Sequence, residues 1–207
     1  LRYKAGTNRL VLEDISKIRK ISEGYYPFDG SYPSVKSDLF DSTWRINSTA
    51  AKAALCLMAQ LRPRSFLTGS EVDLGTVLSA YNSRQFHHIY PKAHLAVKGV
   101  SFHEANVISN ICFLSASENN LISDKDPVEY FKDIPQLHRG EIFAAALIPE
   151  EGVDGALSFK HFLELRTKRL IAVGQRLIES GHVSISTNGV MYEVVSAALP
   201  LSSRRLY

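Results

Sequence analysis

Apolar residues recur at helical spacing at Leu10, Val11, Ile15, Ile18 and Ile21, which predicts an amphipathic helix over about residues 9–23. The aromatic stretch EGYYPFDGSYPS follows, and its Gly and Pro residues forbid a regular element there. Asn47 or Ser48 can cap the next helix, whose face is marked by Ala51, Ala54, Leu55, Met58 and Leu61 and which must stop before Pro63. Leu74, Val77, Leu78 and Tyr81 predict a further short helix. Late in the chain, Phe159, Phe162, Leu163, Leu170, Val173 and Leu177 belong to a long helix ending near Gly181. Val183 and Ile185, then Val190, Tyr192 and Val194, alternate around Asn188-Gly189, the pattern of a tight β-hairpin.

The middle of the chain reads differently. Residues 85–90, QFHHIY, have strand character and end at Pro91. A loop of about 15–20 residues is expected next, then a second apolar run, ICFL, at 111–114. Ser115 with Glu118 forms a capping box, so a helix is expected from Ala116. Asp126-Pro127-Val128-Glu129 repeats the signal with proline at the first helical position. The order is strand, long loop, strand, helix. The fold class expected is α+β: a mostly helical body, an embedded ββα element and a C-terminal β-hairpin.

Composition changes this picture little. The 207 residues carry a net charge of +3, and 45% of them are hydrophobic. That balance suits a globular chain and is too weak alone to imply a nucleic-acid partner. Arg62 and Arg64, then Arg166, Lys168 and Arg169, then Arg204 and Arg205 are basic clusters that read most simply as solvated helix faces and a charged tail. No apolar run approaches the roughly 18 residues that suggest a membrane span, and no signal peptide is visible. Cys56 and Cys112 both read as small buried hydrophobes of a reducing, cytoplasmic compartment, and the lack of a CxxC pair argues against a zinc ribbon. The first residue is Leu1 rather than Met, so a domain of a longer protein is expected.

Candidate chemistry concentrates in the middle segment. His87 and His88 are adjacent on a strand, where regular geometry would send them to opposite faces. Asn110 precedes the second strand, and Asn119 lies in the first turn of the following helix. Phosphodiester hydrolysis needs a neutral base, a divalent cation and ligands for it. Histidine suits the base and His or Asn the ligands. Taken singly, each residue also reads as an ordinary surface, core or capping residue; the set on a strand–loop–strand–helix is what points to catalysis. Lys92 and Lys98 border this segment and could face phosphate. His94 and His103 read as surface residues, Asn106 as a bond to loop backbone, His161 as a helix-face residue, and Trp44 as packing.

The segment FHHIYPKAHL…NVISNICFLSASENNLISDKDPVEYF resembles the HNH (ββα-metal) nuclease domain of GmrSD-type restriction enzymes, to which SspE-like antiphage proteins are related. The likeness extends to RINSTAAKAALCLMAQLRPRSFLTG upstream and SFKHFLELRTKRL downstream, about residues 45–180. It implies three regions: an N-terminal helix and turn-rich segment over 1–44, the nuclease domain over 45–180 with its ββα core at about 85–123, and a hairpin and tail over 181–207. By that resemblance His87 is a metal ligand, His88 the general base, Asn110 the residue that braces the loop and orients the base, and Asn119, in preference to Asn120, the second ligand. Lys125 matches a recurring lysine and could contact phosphate. The first ligand is His rather than the family's common Asp, which leaves Mg²⁺, Mn²⁺, Ni²⁺ and Zn²⁺ all open.

The function so implied is metal-dependent DNA endonuclease activity, nicking double-stranded phage DNA, under an upstream nucleotide-hydrolysing sensor domain in an antiphage restriction protein. Two competing readings are a catalytically inactive HNH-fold DNA-binding or docking module and a purely structural metal site. With a histidine of ordinary pKa, activity would fall below about pH 6.5.

Overall fold

In the computed structural model, residues 7–23, 34–79, 86–149, 151, 157–180, 182–187 and 190–195 are described. The tyrosine-rich segment, Tyr81, Gly181, the Asn188-Gly189 turn and the arginines of the tail lie outside them. The first helix, α1 (Thr7–Ser22), forms where its spacing places it, and its apolar residues Val11, Leu12, Ile15 and Ile18 are exposed. A short helix α2 (Asp38–Asp41) buries Phe40.

Helix α3 (Thr49–Gln60) is capped by Ser48, whose hydroxyl accepts from the Ala51 N–H. Its buried face is Ala51, Ala54, Leu55 and Met58. Cys56 is exposed, contrary to its reading as a core residue, because it falls one position beyond that stripe. Helix α4 (Leu74–Ser79) follows, with Val77 buried.

Strands β1 (Phe86–His88) and β2 (Ile111–Phe113) pair antiparallel, with Phe86 opposite Phe113, His87 opposite Cys112 and His88 opposite Ile111. Every residue of β2 is buried. Its period-2 alternation sends Ile111 and Phe113 into one apolar cluster, and Cys112 and Leu114 into a second. The ribbon is therefore the partition between two cores, which fixes its register against slippage.

The connection between the strands is not a loop. It holds α5 (Lys92–Val97), α6 (Phe102–Ala105) and a 3-10 turn at Ile108–Asn110. Helices this short carry too few turns to show periodicity. Only the capping box at Ser101 and Glu104, in which the hydroxyl and carboxylate satisfy each other's backbone N–H groups, marks one of them in the sequence.

Helix α7 (Ala116–Ile122) starts at the expected capping box, and α8 (Pro127–Asp133) at the Asp126 cap. Then α9 (Arg139–Ala146) buries four consecutive residues, Ile142 to Ala145. Long α10 (Phe159–Ser180) runs past both cores: Phe162 enters the second cluster, Leu170 and Val173 the first. The chain then forms a hairpin, β3 (His182–Thr187) with β4 (Val190–Val195), in which Thr187 pairs with Val190 across a two-residue connection. Val183 and Ile185 of β3 alternate into the first core. The architecture is α+β, with two small antiparallel ribbons in a mostly helical body. Among the described residues no helix is long and apolar enough to cross a membrane.

Candidate active site

A cavity of about 390 Å³ opens at β1. Trp44, His87, His88, Lys92, Asn106, Asn119 and Ser123 are among the residues that line it. The first strand, the helix after it, and the middle and C-terminal cap of α7 thus meet at one hollow. His87, His88, Lys92 and Asn119 come together there. Asn120 is not among the lining residues. Consecutive side chains on a regular strand face opposite ways, yet both histidines reach this cavity from a strand only three residues long.

Asn110 does not line the cavity; it is wholly buried behind it. Its side-chain oxygen accepts from the Tyr90 N–H at 2.9 Å. Its amide nitrogen donates to the Tyr90 carbonyl at 3.0 Å and to the Ala105 carbonyl at 2.9 Å. Both amide hydrogens are used, so a single side chain ties the residue after the β1 turn to the end of α6. The Tyr130 hydroxyl adds a bond to the Ile89 carbonyl at 2.6 Å. Backbone groups that a tight turn would otherwise orphan are satisfied in this way.

The residue that touches His88 is Asn106. Its side-chain oxygen lies 3.0 Å from His88 Nε2, and its amide nitrogen donates to the Trp44 carbonyl at 3.3 Å. That second bond fixes which way the amide points. An amide oxygen only accepts, so Nε2 carries the proton and the lone pair sits on Nδ1. The backbone of Trp44 is itself held by the Asn106 carbonyl at 2.8 Å. The sequence reading of Asn106 as a loop-backbone residue caught one of its bonds and missed the other. The only signal available was its position four residues before Asn110.

Burial, more than any neighbour, pulls the His88 imidazole down from 6.5 to about 4; the Asn106 bond opposes the shift, while Lys92 and His87 add to it. His88 is therefore neutral throughout the physiological range. The acid limb expected at pH 6.5 from an ordinary histidine is corrected accordingly. The unfolded chain binds a proton near 6.5 that the folded chain refuses until about 4. This histidine's contribution is thus complete above about 6.5 and is lost as the pH falls toward 4.

Helix α7 is set by Glu118, a buried carboxylate. One of its oxygens accepts from the Ser115 N–H at 2.8 Å, closing the capping box. The other accepts from the Ser65 hydroxyl at 2.8 Å and the Phe66 N–H at 2.6 Å. The turn after α3 is thereby locked to the helix that presents Asn119, the next residue along.

Lys125 is placed elsewhere. It lines a separate, mostly apolar hollow with Phe66, Leu67, Leu121 and Ile134, and its ammonium lies 3.9 Å from Asp133. Lys98 pairs with Asp126 at 3.1 Å. His94 is largely buried, with Nε2 3.5 Å from the same carboxylate, rather than a surface residue. His161 is on an exposed helix face beside Glu164, as expected.

Among the described residues no three His, Cys, Asp or Glu side chains cluster as a metal site would require. The donor groups on the cavity wall include the His87 imidazole, the Asn119 amide oxygen and the Ser123 hydroxyl. That set does not fit a closed four-ligand structural zinc site. It does fit a divalent ion that shares its shell with water and a phosphate oxygen. No family model, no curated protein and no solved structure matches this chain.

Proposed function

We propose that the chain is a metal-dependent DNA endonuclease of the HNH type, with His88 as general base, and that it serves as the effector of an antiphage restriction protein. The observation that carries this reading is the convergence of His87, His88 and Asn119 on one polar cavity at a strand–strand–helix element. The resemblance of residues 45–180 to GmrSD-type nuclease domains supplies the family. The antiphage role, the phage DNA substrate and an upstream nucleotide-hydrolysing sensor domain rest on that resemblance alone.

In this account His88 Nδ1 takes a proton from a water molecule. The resulting hydroxide attacks phosphorus, the bond to the 3′ oxygen breaks, and that oxygen leaves with a proton from solvent. Products are a 5′-phosphate and a 3′-hydroxyl. Asn106 holds the imidazole in the tautomer that presents Nδ1. Lys92, on the cavity wall, offers an ammonium to the phosphate. His87 and Asn119 would hold a divalent cation, whose chemistry is to neutralise charge gathering on the phosphate and the leaving oxygen. Mn²⁺ suits an imidazole and an amide oxygen together; Mg²⁺ would depend more on its waters. One such centre cuts one strand, so a monomer nicks.

The test is supercoiled plasmid incubated with the protein across Mg²⁺, Mn²⁺, Ni²⁺ and Zn²⁺ over a range of pH. Relaxed circles are expected with at least one of these ions. The rate should stay level down to about pH 5 and fall with a midpoint near 4, where His88 takes up its proton. Binding without cleavage under every ion would leave an inactive DNA-binding module. An acid limb at 6.5 would remove His88 as the buried base.

A further inference from the structure

Beside the cavity lies an aromatic ring with no packing partner of comparable size among the described residues. Phe102, the first residue of α6, is 62% exposed. Its ring meets His103 edge-on at 6.4 Å between centroids. The Lys92 ammonium, which belongs to the cavity wall, rests 5.2 Å from the Phe102 centroid. The described residues give Lys92 no carboxylate partner. A large apolar ring left in water is costly, and the Ser101–Glu104 capping box holds the start of the helix that carries it. Glu104, the acid closest in sequence, is turned back onto the Ser101 N–H at 3.0 Å and the Ser101 hydroxyl at 2.6 Å.

We propose that Phe102 is a stacking platform for the nucleobase next to the scissile phosphate, with Lys92 leaving the ring to contact that phosphate. The inference rests on the nuclease reading above and narrows its substrate to a strand whose base is unpaired: single-stranded or locally opened DNA. The chemistry is that of single-strand recognition, in which a π-face accepts any base and a cation tracks the backbone. In the free protein the ammonium covers the ring, a weak contact at an exposed site. In the complex the cation gains a phosphate oxygen and the ring gains a base. The two residues belong to adjacent helices and are already in contact, so the exchange needs only the lysine side chain to swing. Base pairs of an intact duplex stack on each other and leave no such face.

The experiment uses the full chain in EDTA, so that nothing is cleaved, with a short oligothymidylate carrying one 2-aminopurine. Stacking on Phe102 quenches that base. Wild type should quench it and bind the strand more tightly than the matching duplex. Phe102→Ala should weaken binding about tenfold and abolish quenching, while Phe102→Tyr keeps both. Lys92→Ala should keep the quenching but make the dependence of log Kd on log salt shallower by about 0.7. Unchanged binding and quenching in Phe102→Ala overturn the proposal. So does a Phe102→Ala protein whose sedimentation changes while its DNA binding does not, because the ring then covers a protein contact. Plasmid cleavage without 2-aminopurine quenching sinks this inference alone. Quenching without cleavage leaves the platform standing and removes the nuclease.

Discussion

Replacing His88 by alanine is expected to slow phosphodiester cleavage by about 100- to 10,000-fold, the range removed when a positioned general base is lost. Binding of DNA should change little, because the imidazole is neutral and contributes no charge at pH 7. The fold should survive as well. His88 is only part-buried, and among the described residues its side chain bonds Asn106, whose amide keeps the Trp44 carbonyl. The alanine leaves a space beside Asn106 that free imidazole can enter, so tens of millimolar imidazole should restore part of the rate. Single-turnover nicking of supercoiled plasmid, with and without imidazole, measures this. A variant that cleaves at the wild-type rate would move the base elsewhere.

The second large effect belongs to Arg166. Its side chain is entirely buried, with relative exposure 0%. It lies on α10 midway between Phe162, in one core, and Leu170, in the other, spaced by four residues on each side. Its Nε donates to the Ala146 carbonyl at 3.1 Å, one terminal nitrogen donates to the Ser109 carbonyl, and the other donates to the Ile111 carbonyl at 2.8 Å. Ser109 and Ile111 flank Asn110, so the guanidinium clamps the backbone on both sides of the bracing residue. Burial lowers its pKa to about 10, which still leaves it charged at neutral pH.

Arg166→Met fits the same space without donors. Relief from burying a charge favours the variant by a few kcal/mol, whereas three carbonyls losing their partner cost about 1–3 kcal/mol each. The carbonyls outweigh the relief, for a net loss of about 2–4 kcal/mol and a fall of roughly 5–15 °C in Tm. Arg166→Lys should be no better, since a single ammonium cannot reproduce the fork and its charge stays buried. Thermal unfolding followed by circular dichroism separates these. A methionine variant as stable as wild type would show that the clamp is dispensable.

Local signals carried much of this fold. Ser48, Ser115 with Glu118, and Asp126-Pro127 mark helix starts because their side chains bond the first free N–H groups, a rule that needs no tertiary knowledge. The pairing of β3 with β4 and the long α10 follow equally local patterns. What was illegible depended on distant partners. Helix α9 is buried over consecutive positions between two cores, so it has no amphipathic stripe to find. Arg166 looked like its neighbour Lys168, which is exposed; only the packing of α10 against the 3-10 turn shows that one basic residue of the cluster points inward. Arg169 behaves differently again, bonding the Ile148 carbonyl at 3.0 Å.

The site divides in the same way. His87, His88 and Asn119 could be named from their order along the chain, and they share a cavity. Lys125 could be named too, but its side chain turns to Asp133 on another face of α7 and α8. Asn106 and Glu118 act over long stretches of chain. Asn106 reaches His88 from a helix end 18 residues on, and Glu118 reaches Ser65 over 53 residues. Neither partnership leaves a pattern in a single sequence.

We propose that His87 and Asn119 share one divalent ion while His88 stands beside it without binding it. Electron spin-echo modulation of Mn²⁺, added to the full chain with an oligonucleotide, reads nitrogen coupled to the ion. Coupling to one imidazole is expected, present in wild type and in His88→Ala, and absent in His87→Ala. No imidazole coupling in wild type, or coupling that survives loss of His87, would contradict it.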